Sequence, residues 1–382
     1  MEELEALLQN FGDARKNGFV EMKELKETGN KVIGVYCGFA PWEILSASGA
    51  IPAWLCGMSE EPIVDAEKEL PRNICPLIKS SYGFAITGKC PYYYFSDMLI
   101  GETTCDGKKK MYEYLCNMKP MHIMALPQNL HRENAFEYYK DELYILKESV
   151  EKTLGLEITE DAIKEKIKIR NLERKTLREF YELGKLCPPP LTGIEMRKVL
   201  GSTQYIADKE KEIENIKKII GMVKERYEKQ GTKVSKDAKR ILVTGCPLGD
   251  ATEKILEIIE GNGGVIVCYE NCSSTKSIDD LVDENKNPYD ALTERYLKTA
   301  CACMSPNTNR INMIDYYIDE YKVDGVIDVI LQTCHTYNVE TNRIKKKANE
   351  KGVPYLSLET TYSAEDIGGL TTRIAAFIEM LD

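Results

Sequence analysis

Thirteen cysteines are the residues of this 382-residue chain with the most chemical potential. A thiolate is a soft metal ligand and a nucleophile, whereas an arbitrary lone cysteine is most often a small buried hydrophobe. In a reducing compartment disulfides are disfavoured, which leaves metal ligation, redox catalysis or burial. Four cysteines sit at turns, beside Gly, Pro, Asp or His: Cys75 before Pro76, Cys105 before Asp106-Gly107, Cys303 before Met304-Ser305-Pro306, and Cys334 before His335. Turn positions of this kind favour ligation over packing. Cys37 and Cys272 are open to either reading, with Cys246 and Cys301 as substitutes for them. Cys56, Cys268 and Cys116 lie in apolar or helical texture and Cys187 in a loop, so burial or chance explains them. With only three histidines and no CxxC…CxxC pair, structural zinc is poorly supported, and iron–sulfur clusters, which need soft thiolate ligands, are the chemistry these cysteines suit.

The elements that must position these thiols form two matching series. Apolar, β-branched runs predict strands at Lys31–Tyr36, Ile51–Leu55, Phe95–Glu102 and His122–Leu126, and again at Arg240–Thr244, Val265–Tyr269, Val323–Leu331 and Val353–Leu358. Each series alternates with helical stretches. Cys37 and Cys246 follow the first strand of their series, and Cys56 and Cys268 fall late in the second. Cys105 and Cys334 each end a later strand, after a Thr and before a helix, while Cys75 and the Cys301/Cys303 pair lead into helices. The pattern predicts an α/β protein of two Rossmann-like lobes with parallel sheets, related as an internal repeat. Residues 1–30 read as a helical N-terminus, 31–132 as the first lobe, 133–235 as a charged helical region and 236–382 as the second lobe. Thr159 is the expected N-cap of a helix in that middle region. Open α/β sheets place their sites at the carboxyl ends of parallel strands. Helix N-termini there would stabilise thiolates and the bridging sulfides of an anionic cluster. Three cysteines per lobe would hold three irons of a cubane and leave the fourth free for substrate or a bridging atom.

Composition narrows the partners. A formal net charge of −10 argues against a nucleic-acid-binding surface. No apolar run approaches the ~18–20 residues of a membrane span, and the amphipathic N-terminus lacks the layout of a secretory signal. A soluble, cytoplasmic protein is expected.

Beyond these readings, the strings GVYCGFAPWEILSASGAIP, RNICPLIKSSYGFAITGKCPYYYFSD, ETTCDGKKKMYEYL, ENCSSTKSIDDLVDE, RYLKTACACMSPNTNRI and DGVIDVILQTCHTYNVE resemble the 2-hydroxyacyl-CoA dehydratase and benzoyl-CoA reductase superfamily. Within it the chain is most similar to the double-cubane cluster proteins. The resemblance implies a reductase of small molecules carrying two 4Fe–4S cubanes joined by a sulfide, an 8Fe–9S unit. In the dehydratase branch each subunit instead holds a single 4Fe–4S cluster by three cysteines, matched here by Cys75, Cys105 and Cys334. The internal repeat adds Cys37, Cys272 and Cys303 to that set. Low-potential electrons would come from a separate ATP-hydrolysing iron–sulfur activator, in keeping with the absence of a G-x-x-x-x-G-K-[ST] phosphate loop. A homodimer is the implied assembly. Around the cluster, Glu43, His335 and Glu340 are the expected acid–base groups, and Lys79, Ser80, Lys108 and Glu270 the expected cofactor-side groups, with Glu102 in reserve. Glu43 and Glu340 could donate protons if burial raises their pKa, and the plain alternative is a first-turn carboxylate facing the helix dipole. Lys108-Lys109-Lys110 reads as an anion contact or a solvated helix start, and Tyr92-Tyr93-Tyr94 as a cluster shield or buried strand aromatics. The competing functions are a subunit of a 2-hydroxyacyl-CoA dehydratase and a non-enzymatic electron carrier or redox sensor.

Overall fold

The computed structural model describes residues 2–249, 252–272 and 275–381. Two four-stranded sheets organise the chain. Strands β1 (Val32–Val35), β2 (Ile51–Trp54), β3 (Met98–Glu102) and β4 (Met121–Met124) pair in the order β2-β1-β3-β4, and every pairing is parallel. Strands β5 (Lys239–Gly245), β6 (Gly264–Glu270), β7 (Gly325–Leu331) and β8 (Tyr355–Thr360) repeat that order as β6-β5-β7-β8, again all parallel. The fold is therefore α/β with two Rossmann-like lobes. Parallel strands covered by helices on both faces must be apolar on both faces. β1 (VIGV), β3 (MLIGE), β6 (GVIVCYE) and β7 (GVIDVIL) are buried along their whole length.

In each sheet the chain leaves the first strand toward one edge and later returns on its other side. β1/β3 and β5/β7 are thus the switch points at which such sheets open a crevice. Gly245 closes β5 at φ +112°, and a Cβ there would lie 2.2 Å from the Val329 carbonyl oxygen. Glycine at this position lets β5 run close to β7 and deliver Cys246, whose N–H donates to that same carbonyl at 2.8 Å.

The expected strand over Phe95–Glu102 begins only at Met98, and the three tyrosines before it are helical. Cys90 caps a short helix over Pro91–Phe95, with its thiol accepting from the Tyr93 N–H at 3.5 Å and Pro at the first helical position. A Pro at the head of a Tyr-rich run thus overrides its β-propensity, and Tyr92 and Tyr93 are buried helical aromatics.

Between the sheets, long helices cover Ala135–Leu154, Glu160–Tyr181 and Lys209–Gln230. Thr159 caps the second of these, accepting from the Ala162 N–H at 3.2 Å. The helix Glu160–Tyr181 touches both lobes. Arg174 pairs with Glu43 of the first at 2.8 Å, while Asn171 donates to the Val282 carbonyl of the second at 2.7 Å. The N-terminal helix Glu2–Gly12 buries Leu4, Leu8 and Phe11 in the core of the second lobe. Among the described residues no helix is long and apolar enough to cross a membrane.

Candidate functional site

The carboxyl ends of both sheets face one cavity of about 590 Å³, and nine cysteines line it. All six expected ligands are there: Cys37, Cys75, Cys105, Cys272, Cys303 and Cys334. Cys246 and Cys301, the substitutes, join them. Cys56, expected to be core, is corrected: it is half-buried on the cavity wall, its thiol 3.6 Å from the Tyr36 carbonyl. Cys268 is fully buried in the second lobe's core, and Cys116 and Cys187 are exposed.

Local sequence explains how the thiols arrive. Cys37 and Cys246 follow β1 and β5 directly. Cys75, Cys105 and Cys334 are the N-cap residues of the helices Pro76–Thr87, Asp106–Leu115 and His335–Glu350. At that position a side chain faces the free N–H groups and positive end of the helix, where a thiolate is stabilised. Cys334 is delivered by Thr333, which holds φ +60°, and Met58, at φ +52°, stands on the same wall. Both are non-glycine residues in the left-handed region, a strain that proteins concentrate at functional sites.

The thiols form two groups. Cys246 and Cys75 pull the Cys334 pKa down against burial, while burial and then Cys334 push Cys246 up, and Cys334 and then burial push Cys75 up. In the second group Cys301 is lowered, first by the hydrogen bond from Cys303 and then by Lys276, against burial. Cys37 and Cys272 belong with that group, since each feels the charge of Cys301; burial raises Cys37, whereas Cys272 is exposed. Cys105 feels Cys334 of one group and Cys301 of the other. Among the described residues no three His, Cys, Asp or Glu side chains converge as ligands of a single ion. Nine thiols spread around a 590 Å³ chamber suit a multi-iron cluster, in which different irons take different cysteines, better than a mononuclear metal.

Each lobe brings a lysine to the thiols, Lys108 half-buried and Lys276 buried. Lys108 Nζ lies 2.9 Å from Glu102 Oε1 and donates to the Tyr36 carbonyl at 3.2 Å, on the cavity wall. The other carboxylate oxygen, Glu102 Oε2, is buried without a hydrogen-bond partner. In the second lobe Lys276 Nζ lies 2.9 Å from Glu270 Oε1 and donates to the Tyr337 hydroxyl at 2.8 Å, which in turn stands 3.8 Å from Cys272 Sγ. Arg310 backs this array, pairing with Glu270 at 3.0 Å and Glu340 at 2.7 Å.

The remaining expected residues are placed as follows. His335 lines the cavity. Glu270 and Glu340 lie behind the wall, where they hold Lys276 and Arg310; Glu340 is the sixth residue of its helix, beyond the first turn. Lys79 is turned away to Glu67 at 2.8 Å and the Arg72 carbonyl at 3.0 Å. Ser80 accepts from the Ser59 N–H at 3.0 Å, steadying the segment that follows Cys56. Glu43 is corrected as a proton donor. Burial raises its pKa, but Arg174 and the Tyr296 hydroxyl at 2.6 Å outweigh that, and the carboxyl is held below its ordinary value. It is an ionised strut between helices, away from the cavity.

Four residues of the site, Arg310 among them, had no place in the sequence reading. Tyr337 stands one helical turn after Cys334 and Lys276 one turn after Cys272, so spacing could have found them. Arg170 comes from the middle helix, where nothing in the local sequence separates it from the solvated charges around it.

A two-lobed α/β protein with a thiol-lined chamber between its sheets defines the class. The family model described as 2-hydroxyglutaryl-CoA dehydratase, D-component, matches residues 37–381, and the chain belongs to that family. It is 47% identical over 380 residues, 99% of each chain, to an Escherichia coli (strain K12) protein provisionally named dehydratase subunit YjiM. It is 27% identical over 364 residues, 94% of each chain, to the (R)-phenyllactyl-CoA dehydratase beta subunit of Clostridium sporogenes. It is also 21% identical over 376 residues, 95% of this chain and 94% of the other, to a benzoyl-CoA reductase polypeptide of Thauera aromatica. Family members thus include named dehydratase and reductase subunits.

Proposed function

We propose that this chain is a cytoplasmic, homodimeric iron–sulfur reductase of small molecules, charged with low-potential electrons by a separate ATP-hydrolysing iron–sulfur activator. The observation that carries the reading is the presence of nine thiols from both lobes, in two groups, on the wall of one cavity. A single cubane held by three cysteines would leave most of them without a task. Two cubanes forming an 8Fe–9S unit would use one group each, with Cys75, Cys246 and Cys334 as the first set and Cys37, Cys272, Cys301 and Cys303 supplying the second. Cys105, which feels the charge of both groups, would serve as a further ligand to either.

When bound, such a cluster supplies single low-potential electrons. The protein's part is to hold and shield it. Lys108 and Lys276 set positive charge beside the thiolates, and the helix N-termini behind Cys75, Cys105 and Cys334 add N–H dipoles. Tyr337 presents a hydroxyl to the chamber and is held by Lys276, the arrangement needed for a group that passes a proton toward a bound substrate. His335 stands at the same wall as a second proton carrier.

Iron and acid-labile sulfide, measured per chain on protein purified without oxygen, test the reading. About eight irons and nine sulfides are expected; about four irons would replace it with a single cubane, and none would return the thiols to structural roles. The second reading, a subunit of a 2-hydroxyacyl-CoA dehydratase, is favoured by the family description and the beta-subunit names of relatives. It requires a different partner subunit, and association with a second polypeptide in place of self-association would select it.

A further inference from the structure

The chain holds two tryptophans, and both stand in one small side cavity of about 190 Å³. Trp42 and Trp54 share its wall with Lys166, Arg170, Gln204 and Lys209. Three of these residues, Trp54, Arg170 and Gln204, also line the central thiol chamber, so the two spaces share that wall.

Arg170 is the residue whose state has no structural explanation. It is 8% exposed, and its Nε is buried without a hydrogen-bond partner. One terminal nitrogen is engaged by Glu173, and the guanidinium plane lies 5.6 Å from the Trp42 ring centroid. A buried guanidinium N–H left unpaired carries a desolvation cost, and that cost is removed when an acceptor enters the cavity. The charged guanidinium and the Lys166 and Lys209 ammonium groups on the same wall favour an anionic acceptor. Burial, and the nearby Glu173 charge, push the Glu212 carboxyl up against the pull of Lys209, while Arg170 and Lys209 pull Glu173 down against burial. The buried cluster of Arg170, Lys209, Glu173 and Glu212 thus leans positive, and half-buried Lys166 adds a further charge.

Size restricts the class further. Sites for drug-sized ligands run to about 300–1,000 Å³, and a water molecule occupies about 30 Å³ of liquid. A 190 Å³ cavity therefore takes a small oxyanion and excludes a coenzyme-sized ligand. The planar guanidinium is the protein group best matched to carboxylate or phosphate oxygens. We propose that the Trp42/Trp54 cavity is a binding site for a small oxyanion, a carboxylate or phosphate group held by Arg170 and Lys166, behind the wall it shares with the thiol chamber. This goes beyond the proposed function, and the site itself exists whether or not the thiols hold iron.

These are the only tryptophans in the sequence, and Trp42 lines this cavity and not the thiol chamber, so selectively excited tryptophan fluorescence in a Trp54→Phe background reports on this cavity. The full chain, purified without oxygen, is titrated with sodium succinate and separately with inorganic phosphate, against sodium chloride at matched ionic strength. A saturating change is expected with at least one oxyanion and none with chloride; which one saturates separates carboxylate from phosphate. Arg170→Gln is expected to weaken binding about tenfold or more, the loss of one charge-assisted pair. Lys166→Gln, on a half-buried side chain, is expected to weaken it about threefold. A chloride-like response to both oxyanions overturns the proposal, as does parental titration by a folded Arg170→Gln. If Arg170→Gln fails to fold, parental titration by Lys166→Gln overturns it in the same way. Iron content is read on the same samples, so loss of the double-cluster reading and loss of this site are separate results.

Discussion

At the scale of single residues, the thiols shift one another's proton affinity. Cys246 and Cys75 pull the Cys334 pKa down against burial, and Cys334 is the N-cap of its helix. That makes it the first candidate ligand. Cys334→Ser is therefore expected to lower the iron content of anaerobically purified protein by about half or more, since a hydroxyl is a poor ligand for cluster iron. Cys116→Ser, altering an exposed thiol away from the chamber, is expected to leave it unchanged. Equal iron in both variants would remove Cys334 from the ligand set. The residue scale is also where the sequence was most readable. Cys75, Cys105 and Cys334 declared themselves because Pro, Asp-Gly and His beside them are turn and helix-start signals, and all three are N-caps. Cys56 misled because a cysteine after IPAWL looks like the end of a packed strand, and only the third dimension shows which way its thiol points. Arg170 was invisible because its meaning lies in an unpaired Nε, a property of packing that no local pattern encodes.

At the scale of elements, the strands were legible because parallel strands buried on both faces must be continuous apolar runs, and β1, β6 and β7 are such runs. Pro91 defeated the same logic just before β3. The helices of the middle region were legible as helices, but their partners were not. Helix Glu160–Tyr181 and helix Lys209–Gln230 meet through charges that are buried: Lys209 Nζ lies 3.2 Å from Glu173 Oε1 and 2.7 Å from Glu212 Oε2. This cross-helix cluster has a pH signature. Glu212 is pushed up to about 8, chiefly by burial and also by Glu173, against the pull of Lys209. A carboxyl whose folded pKa lies above its unfolded value binds more protons folded than unfolded. Its contribution is therefore fully present below the unfolded value near 4.5 and is lost as pH rises through about 8. Glu212→Gln removes that dependence. Relative to the parent, the variant's melting temperature is expected to rise progressively between about pH 5 and pH 8, by a few degrees at the upper end. A difference between variant and parent that does not change with pH would show that Glu212 titrates normally in the folded protein.

At the scale of the whole molecule, the two lobes repeat a topology but do not behave as two beads on a string. The helix Pro288–Leu297, which follows β6 in sequence, places Tyr289, Leu292 and Tyr296 in the core beneath the first sheet. The N-terminal helix crosses the other way, burying Leu4, Leu8 and Phe11 against Met196, Val199 and Ile216 in the core of the second lobe. Its amphipathic pattern was plain in the sequence; its destination was not, because an apolar stripe specifies that a face is buried and says nothing of what covers it. The crossing makes a distinctive expectation for a chain lacking residues 2–12. Losing three fully buried side chains uncovers apolar surface worth about 1.5–3 kcal/mol each, a large share of the ~5–15 kcal/mol that holds a domain together. If the first lobe were the helix's home by sequence proximity, amide exchange would accelerate first in β1–β4. With the contacts as they are, protection is expected to fall first in the helices Gly193–Leu200 and Lys209–Gln230 and then in β5–β8, while β1 and β3 keep theirs. Hydrogen exchange followed by mass spectrometry separates the two outcomes. Because β5 and β7 carry Cys246 and Cys334, the same truncation is expected to loosen the Cys75–Cys246–Cys334 side of the chamber before the Cys301–Cys303 side. A uniform loss of protection over both sheets would instead mean that the lobes unfold as one cooperative unit.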